Sequence, residues 1–490
     1  MTRNSGYIHA LRSQGSTRGS IPSINIQDLP DEVLFIILEF VDVLDADVLH
    51  KVSKLFYRLL HDECYWRTAY RKTRIPRPPG PFEGQPTSYL RETLIRSAKV
   101  QLNWPPFVWS PHPTSRITFS RAALSAAKLH LSIIHGRWLI TGDSPLMLCY
   151  DTCSSDPDWA TSPQIFYQPH LTANFFRCFS MTAEDGQELI FAVSDTQVGT
   201  VRRKLNLFTV AIDPGYGPFI SGHVFTLDLR SSYSGVQAVA TGPRLLVISA
   251  KGLEHEDPPI ILDVKTFQRF QIVPSPLAPG HHVIVTSFIS TSSHLFVARL
   301  LNGWETLLQV FPISQIHPQS STDGIRVLRP SHVIRTPELR FRTWHVLRGP
   351  KYEPLTGGTR ITLMLSVFGP TSMDVASLNI VHLLLDAGGN ISFTSEILWA
   401  LPRDTTVLAD SSHDGCIRGL VCGENGRRLM PFMIDDQDKN STACGLFSND
   451  ITMSFKQHLV LFDGYRGVLC SESVVGVGTG GWRIEVVRFA

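Results

Sequence analysis

Two periodicities of apolar and polar positions divide this chain, and the change falls near residue 116. From Asp31 to Ile75 there is neither glycine nor proline, although 35 Gly and 32 Pro in 490 residues would place about six in such a window. Breakers are absent where helices run. Pro30 stands where a helix can begin, because its missing N–H falls among the unpaired donors of a first turn. Asp31 and Glu32 then put negative charge at the positive end of the helix dipole. Val33 to Val41 (VLFIILEFV) is apolar on nearly every face. A second helix is predicted from Asp45 or Asp47, with Val48, Val52, Leu55 and Leu59 at helical spacing and Leu49, Phe56 and Leu60 widening the stripe. His61-Asp62-Glu63 interrupts it, and a short third segment carries Tyr65, Trp66, Ala69 and Tyr70. Pro76, Pro78, Pro79 and Pro81 end the helical texture in a stiff basic linker over residues 73–86. A connecting helix is predicted from Thr87 to Gln101, with Leu90, Leu94 and Ala98 at spacing four and Thr87 or Ser88 as its cap; it stops near Asn103-Trp104-Pro105-Pro106.

Beyond residue 116 the chain breaks into short β-rich runs separated by Gly, Pro, Asp and Ser. Several segments share one plan: a basic or polar residue, an apolar strand, a loop, and a second strand often ending in Asp. Residues 137–142 are followed by 147–151, 189–194 by 205–213, 245–249 by 260–263, 295–300 by 306–311, 361–367 by 380–386, and 417–422 by 429–435. Residues 458–463, 467–469 and 482–489 close the series. The first strands begin near 138, 189, 245, 295, 361 and 417, at intervals of 51, 56, 50, 66 and 56 residues. These are longer than a tight WD-type blade and near a kelch-like one, and give about seven units. Arg137-Trp138-Leu139-Ile140-Thr141-Gly142 resembles the central strand of a WD-type blade, although the other units lack the Trp-Asp dipeptide. Blades around an axis solve the sheet-edge problem without one huge core. The fold class expected is mainly β, a propeller of six to eight blades over residues 104–490 behind a small all-α module; two β-sandwiches are the alternative.

Charge and composition narrow the partner class. The chain has 45 Lys+Arg against 43 Asp+Glu, 43% apolar residues and 18% charged ones. A net charge of +2 offers no electrostatic footprint for nucleic acid or an anionic membrane. No apolar run approaches the roughly 20 residues that span a bilayer. The first 25 residues are expected to be a solvated tail; residues 1–27 carry Arg3, Arg12 and Arg18 and no acid. Eight scattered cysteines without a CxxC indicate neither a zinc framework nor a disulfide scaffold, as expected of a cytoplasmic or nuclear protein.

Helix 1 carries more apolar surface than one stripe needs, on a module too small to bury it alone. Such a surplus marks either a partner-binding face or a face covered by the rest of the chain. The order and spacing of Leu29-Pro30-Asp31-Glu32-Val33-Leu34, Ile37-Leu38, Val52-Ser53-Lys54 and Trp66 resemble an F-box, with Trp66 37 residues after Leu29. The resemblance covers residues 26–72 and departs where the family often has Cys-Arg-x-Trp, here Ser53-Lys54-Leu55-Phe56-Tyr57. It implies a three-helix F-box module in which Leu29, Pro30, Glu32, Leu34, Ile37, Leu38, Leu49, Val52 and Trp66 dock, or support docking, on a Skp-family adaptor. It further implies a substrate receptor of an SCF-type cullin-RING ubiquitin ligase, reaching a cullin through the adaptor and an unknown target protein through the propeller.

Motifs for chemistry mostly fail. Gly476-Val477-Gly478-Thr479-Gly480-Gly481 matches GxGxxG, but only nine residues follow and they read as a strand, so a Gly-rich turn is expected. Asp436, Asp438 and Asn440 imitate the start of a calcium loop whose sixth and twelfth positions are Ser441 and Phe447, not Gly and Glu. Cys149 with Cys153, and His281-His282, lack the further ligands a metal needs. No catalytic residue, cofactor or metal is expected. The competing class is a propeller enzyme or small-ligand binder whose helical module is only an interaction handle; a third is an F-box scaffold that transfers no ubiquitin.

Overall fold

The computed structural model describes residues 25–78, 80–104, 113–122, 130–143, 146–154, 163–168, 173–182, 188–198, 202–213, 216–229, 233–241, 244–252, 259–272, 277, 279–290, 294–302, 304–316, 326–336, 340–354, 357–368, 375–386, 390–401, 405–412, 416–423, 428–435, 457–475 and 481–489. The chain divides into two compact units, Met1–Tyr65 and Trp66–Ala490.

In the first unit, helix α1 (Asp31–Leu38) starts directly after Pro30, whose carbonyl accepts from the N–H groups of Val33 at 3.0 Å and Leu34 at 3.1 Å. α2 (Val43–Val52) is capped by Asp42, whose carboxylate accepts from the Leu44 N–H at 2.8 Å. The single helix expected over the next stretch is two. Ser53 is extended at φ −140° and ψ 128°, ends α2 and precedes α3 (Lys54–Leu60). Its carbonyl accepts from the Tyr57 N–H at 2.7 Å to open α3, and its hydroxyl makes no capping bond. Arg58 of α3 reaches Asp31 of α1 at 2.6 Å. α4 (Glu63–Lys72) makes the fourth helix where a three-helix module was expected, and the division between the units falls inside it.

In the second unit, residues 73–86 fold back on α4. Tyr70 Oη donates to the Pro78 carbonyl at 2.7 Å, and the Arg67 guanidinium donates to the carbonyls of Phe82 at 2.8 Å and Gln85 at 2.9 Å. Pro76, Arg77, Pro78 and Gln85 are buried. α5 (Thr87–Leu102) has Pro86 in the capping position and no side-chain cap; Thr87 is its first residue and not, as expected, its cap. The buried Arg418 holds this helix, donating to Gln101 Oε1 at 2.7 Å, to the Ser97 carbonyl at 3.4 Å and to the Gly464 carbonyl at 2.7 Å. Trp104 Nε1 adds a bond to the Phe432 carbonyl at 2.9 Å.

The rest is a seven-bladed propeller. Blade 7 is closed by the two ends of the chain: β1 (Ser115–Ala122) lies outside three strands from the C-terminus, in the order β1-β28-β27-β26 (β26 Gln457–Asp463, β27 Val468–Val475, β28 Gly481–Arg488). Its register pairs Ser115 with Arg488 and Ala122 with Gly481. Blade 1 is β2 (His130–Ile134), β3 (Trp138–Asp143), β4 (Leu146–Asp151) and β5 (Gln164–Tyr167); blade 2 is β6 (Ala173–Thr182), β7 (Glu188–Val198), β8 (Arg202–Asp213) and β9 (Gly217–Leu229). Blade 3 is β10 (Tyr233–Thr241), β11 (Leu245–Gly252), β12 (Ile260–Asp263) and β13 (Arg269–Ile272). Blade 4 follows with β14 (Val283–Ser290), β15 (His294–Leu301), β16 (Thr306–Pro312) and, after an insertion, β18 (His332–Thr336). The insertion carries β17 (Arg326–Leu328), which joins blade 3 as a fifth, parallel strand beside β13. It explains the 66-residue interval in the repeat. Blade 5 is β19 (Phe341–Glu353), β20 (Gly358–Phe368), β21 (Val375–Leu385) and β22 (Ile391–Ala400); blade 6 is β23 (Thr406–Ser412), β24 (Cys416–Gly423) and β25 (Arg428–Asp435).

The innermost strands touch in ring order, from β2 through β6, β10, β14, β19 and β23 to β26 and back to β2. Among the described residues, a hydrophobic cluster fills each of the seven interfaces between neighbouring blades. Alternation along β7 shows how: Ile190 and Ala192 pack with blade 1, while Phe191 and Val193 pack with blade 3. A strand covered on both faces reads as an uninterrupted apolar run, which is why the second and third strands of each blade were recognisable in the sequence.

Candidate functional site

The basic residue and the terminal Asp of the repeated plan meet in space. Antiparallel pairing brings Trp138 opposite Asp151 and Leu245 opposite Asp263, so the arginine just before each strand reaches across. Arg137 holds Asp151 through two bonds of 2.8 and 2.6 Å, and Arg244 holds Asp263 at 3.0 and 2.6 Å. Burial would raise these carboxyls, but the arginine hydrogen bonds and charges outweigh it and hold both below their ordinary value. They are staples within a blade rather than reactive acids. Burial also pushes the thiols of Cys149, Cys422 and Cys470 up to about 12, so they stay protonated at neutral pH. His281 and His282 precede β14, and among the described residues no three His, Cys, Asp or Glu side chains gather as a metal would need. Asp436, Asp438, Asn440 and the glycine turn at 476–480 lie outside the described residues.

The first unit carries the features of a docking surface. α1 has two apolar faces: Leu34 and Leu38, four apart, are 0% and 1% exposed, whereas Val33, Ile36 and Ile37, continued by Phe40 in the turn that follows, keep the spacing i, i+3, i+4, i+7 and stand in solvent. Phe40 is 86% exposed and Val52, at the end of α2, 72%. Solvent exposure of such side chains on a small helical module is unusual unless a partner covers them. Of the nine residues singled out in the sequence, Pro30, Glu32, Ile37 and Val52 are exposed, Leu29 and Leu49 half-buried, and Leu34, Leu38 and Trp66 buried. Trp66 belongs to the second unit, where the Arg91 guanidinium lies 5.7 Å from its ring centre. The exposed Val33, Ile36, Phe40, Val48 and Tyr57 were not singled out; the helical spacing of 33, 36, 37 and 40 was the signal available for the α1 members.

Residues 26–72 match the F-box-like family model. No curated protein matches the chain. Among solved structures, the WD40 domain of SCAP from fission yeast is similar at 10% identity over 74% of this chain and 84% of that one, with a TM-score of 0.40. Raptor from Chaetomium thermophilum is similar at 11% identity over 93% of this chain and 41% of that one, also with a TM-score of 0.40. The dihydro-heme d1 dehydrogenase NirN is similar at 12% identity over 64% and 56% of the two chains, with a TM-score of 0.31. The chain therefore joins an F-box-like module to a seven-bladed β-propeller. Among the described residues no helix is long and apolar enough to cross a membrane.

Proposed function

We propose that this protein is the target-receptor subunit of an SCF-type cullin-RING ubiquitin ligase, cytoplasmic or nuclear, with no catalytic residue of its own. The F-box-like module docks a Skp-family adaptor and, through it, a cullin; the propeller holds a target protein. The observation that carries this reading is the solvent-facing apolar stripe Val33, Ile36, Ile37 and Phe40 within the stretch that matches the F-box-like family. In this role Ile36, Ile37, Phe40 and Val52 fill apolar pockets of the adaptor, with Leu29 and Leu49 at the margin, and Pro30 and Glu32 set the start of α1. Leu34 and Leu38 act from behind, by packing, and Trp66 supports the fold from within the second unit. Catalysis is by proximity: holding a target near an activated ubiquitin raises its effective concentration.

The test is co-expression of the full chain with a Skp-family adaptor, followed by size-exclusion chromatography. A one-to-one complex is expected, lost in Ile36→Asp/Phe40→Asp and weakened in Leu29→Ala/Pro30→Ala. Both positions of the first pair are exposed, so folding is retained. A well-folded chain that does not co-elute with the adaptor refutes the reading.

A further inference from the structure

α5 buries Leu90, Leu94, Ala98 and Gln101 on one side and leaves Ser88, Glu92, Arg96 and Lys99 exposed on the other. That polar stripe is one wall of a groove of about 930 Å³, within the range of natural ligand sites. The facing wall is built from the ends of blades 1, 2 and 7. Six cationic side chains line it: Arg91, Arg96 and Lys99 from α5, and Arg137, Arg466 and Arg488 from the propeller. Among the described residues of the lining, Glu92 and Glu188 oppose them.

Local pairing does not cancel this field. Arg466 is matched by Glu188 at 3.2 Å and Asp463 at 3.1 Å, and Arg137 by Asp151 at 2.6 Å. Arg488 donates to neutral groups, the Gly136 carbonyl at 2.9 Å and Thr152 Oγ1, and meets Asp151 through its charge without a hydrogen bond. Leaving Arg91 aside and counting Asp151 and Asp463 with the lining acids, the described residues still carry one positive charge in excess. Between the charges the wall is apolar, with Ile95, Trp138 and Ile212. A low-dielectric wall focuses the field of nearby cations.

The cations are strung out rather than gathered on one point. Arg91 to Lys99 spans eight residues of helix, about 12 Å, the length of roughly four residues of extended chain. The wall is also held in place in advance, because Arg418 and Trp104 pin α5 to blades 6 and 7. A pre-formed groove of this kind orders little of itself on binding.

We propose that this groove binds an acidic stretch of polypeptide, about four residues in extended form, whose carboxylate or phosphate groups meet Arg96, Lys99 and Arg488 while intervening apolar side chains rest on Ile95 and Ile212. It is independent of whatever the first unit docks.

The test is fluorescence anisotropy of the full chain with three labelled peptides of one length: four glutamates in a Leu/Gly/Ser frame, the same with glutamines, and the same frame with two phosphoserines. The glutamate and phosphoserine peptides bind and the glutamine peptide does not. Arg96→Glu/Lys99→Glu weakens binding at least tenfold without changing the melting temperature, since both side chains are exposed, and Glu92→Gln strengthens it severalfold. Lys351→Glu/Arg360→Glu makes an equal charge change on blade 5 and leaves affinity within twofold. Whichever acidic peptide binds more tightly identifies the anion. If neither acidic peptide saturates, or the blade 5 pair weakens binding as much as the α5 pair, the site does not exist. If single-stranded RNA of equal charge displaces the peptide at lower concentration, the ligand is nucleic acid and the peptide assignment falls.

Discussion

Glu188 at the start of β7 shows how a single side chain is set by its surroundings. Burial alone would raise its carboxyl, but the His135 ring 3.0 Å away and the Arg466 guanidinium 3.2 Å away outweigh burial and hold it down at about 2. His345 on β19 is the opposite case, with burial pushing its imidazole down to about 4. The two act on stability in adjacent pH windows. An unfolded chain protonates its histidine near 6.5 while the folded one resists to about 4, so stability is complete above 6.5 and declines as pH falls toward 4. An unfolded Glu protonates near 4.5 and folded Glu188 near 2, so its contribution of about 3 kcal/mol is present above 4.5 and lost below it. Thermal midpoints measured from pH 7.5 to 3 should fall in two stages. His345→Gln removes most of the upper stage and Glu188→Gln makes the lower one shallower. A midpoint flat from pH 7 to 4.5 in the unaltered protein contradicts the assignment of His345. Gly217 illustrates a steric constraint: at φ +85° it has the backbone that favours glycine, and a Cβ there would lie 2.9 Å from the Trp138 ring.

At the scale of elements, α5 owes its place to the propeller. Val100 and Trp104 join Cys416, Leu420, Leu429 and Phe489 in one cluster between blades 6 and 7, and Arg418 supplies three of the hydrogen bonds there. Truncating a buried, hydrogen-bonded cation strands its acceptors away from water. Arg418→Ala should therefore destabilise the chain by about 3 kcal/mol in urea denaturation. A loss below 1 kcal/mol would mean that water replaces the guanidinium at that site. The same scale explains which elements were legible beforehand. The helices were marked by missing breakers and helical spacing, and the middle strands by apolar runs covered on both faces. Strands such as β22, with six of its ten residues exposed, and β18, exposed at alternate positions, have no such run to announce them. The break at Ser53 was hidden because Val48, Val52, Leu55 and Leu59 keep one helical period on both sides of it.

At the scale of the molecule, the propeller is a ring without a single core, so its integrity depends on closure. β28 sits between β27 and β1, with Ile484, Val486 and Val487 all 0% exposed. Truncation ahead of Gly481 removes them, leaves β1 without its partner and opens the clusters on both sides of blade 7. The cooperative thermal transition, followed by near-UV circular dichroism, should disappear. A truncated chain that still melts in one sharp step would show that six blades close by themselves.

The features legible along the chain are local: the helical module and its F-box spacing, a repeat of about seven units, and the paired middle strands of each. These follow from periodicity over ten to fifteen residues, which secondary structure imposes directly. The features that needed the packed fold are long-range. The inner and outer strands, the closing of blade 7 by β1, the parallel addition of β17 to a neighbouring blade, and the meeting of α5 with Arg137, Arg466 and Arg488 across a groove all join residues far apart in the chain. The two faces of α1 lie between these cases: the apolar positions were legible, but which face stayed in solvent depended on what the fold packed against the other. Spacing within one element says which residues share a face; only the packing of elements against one another says what that face meets.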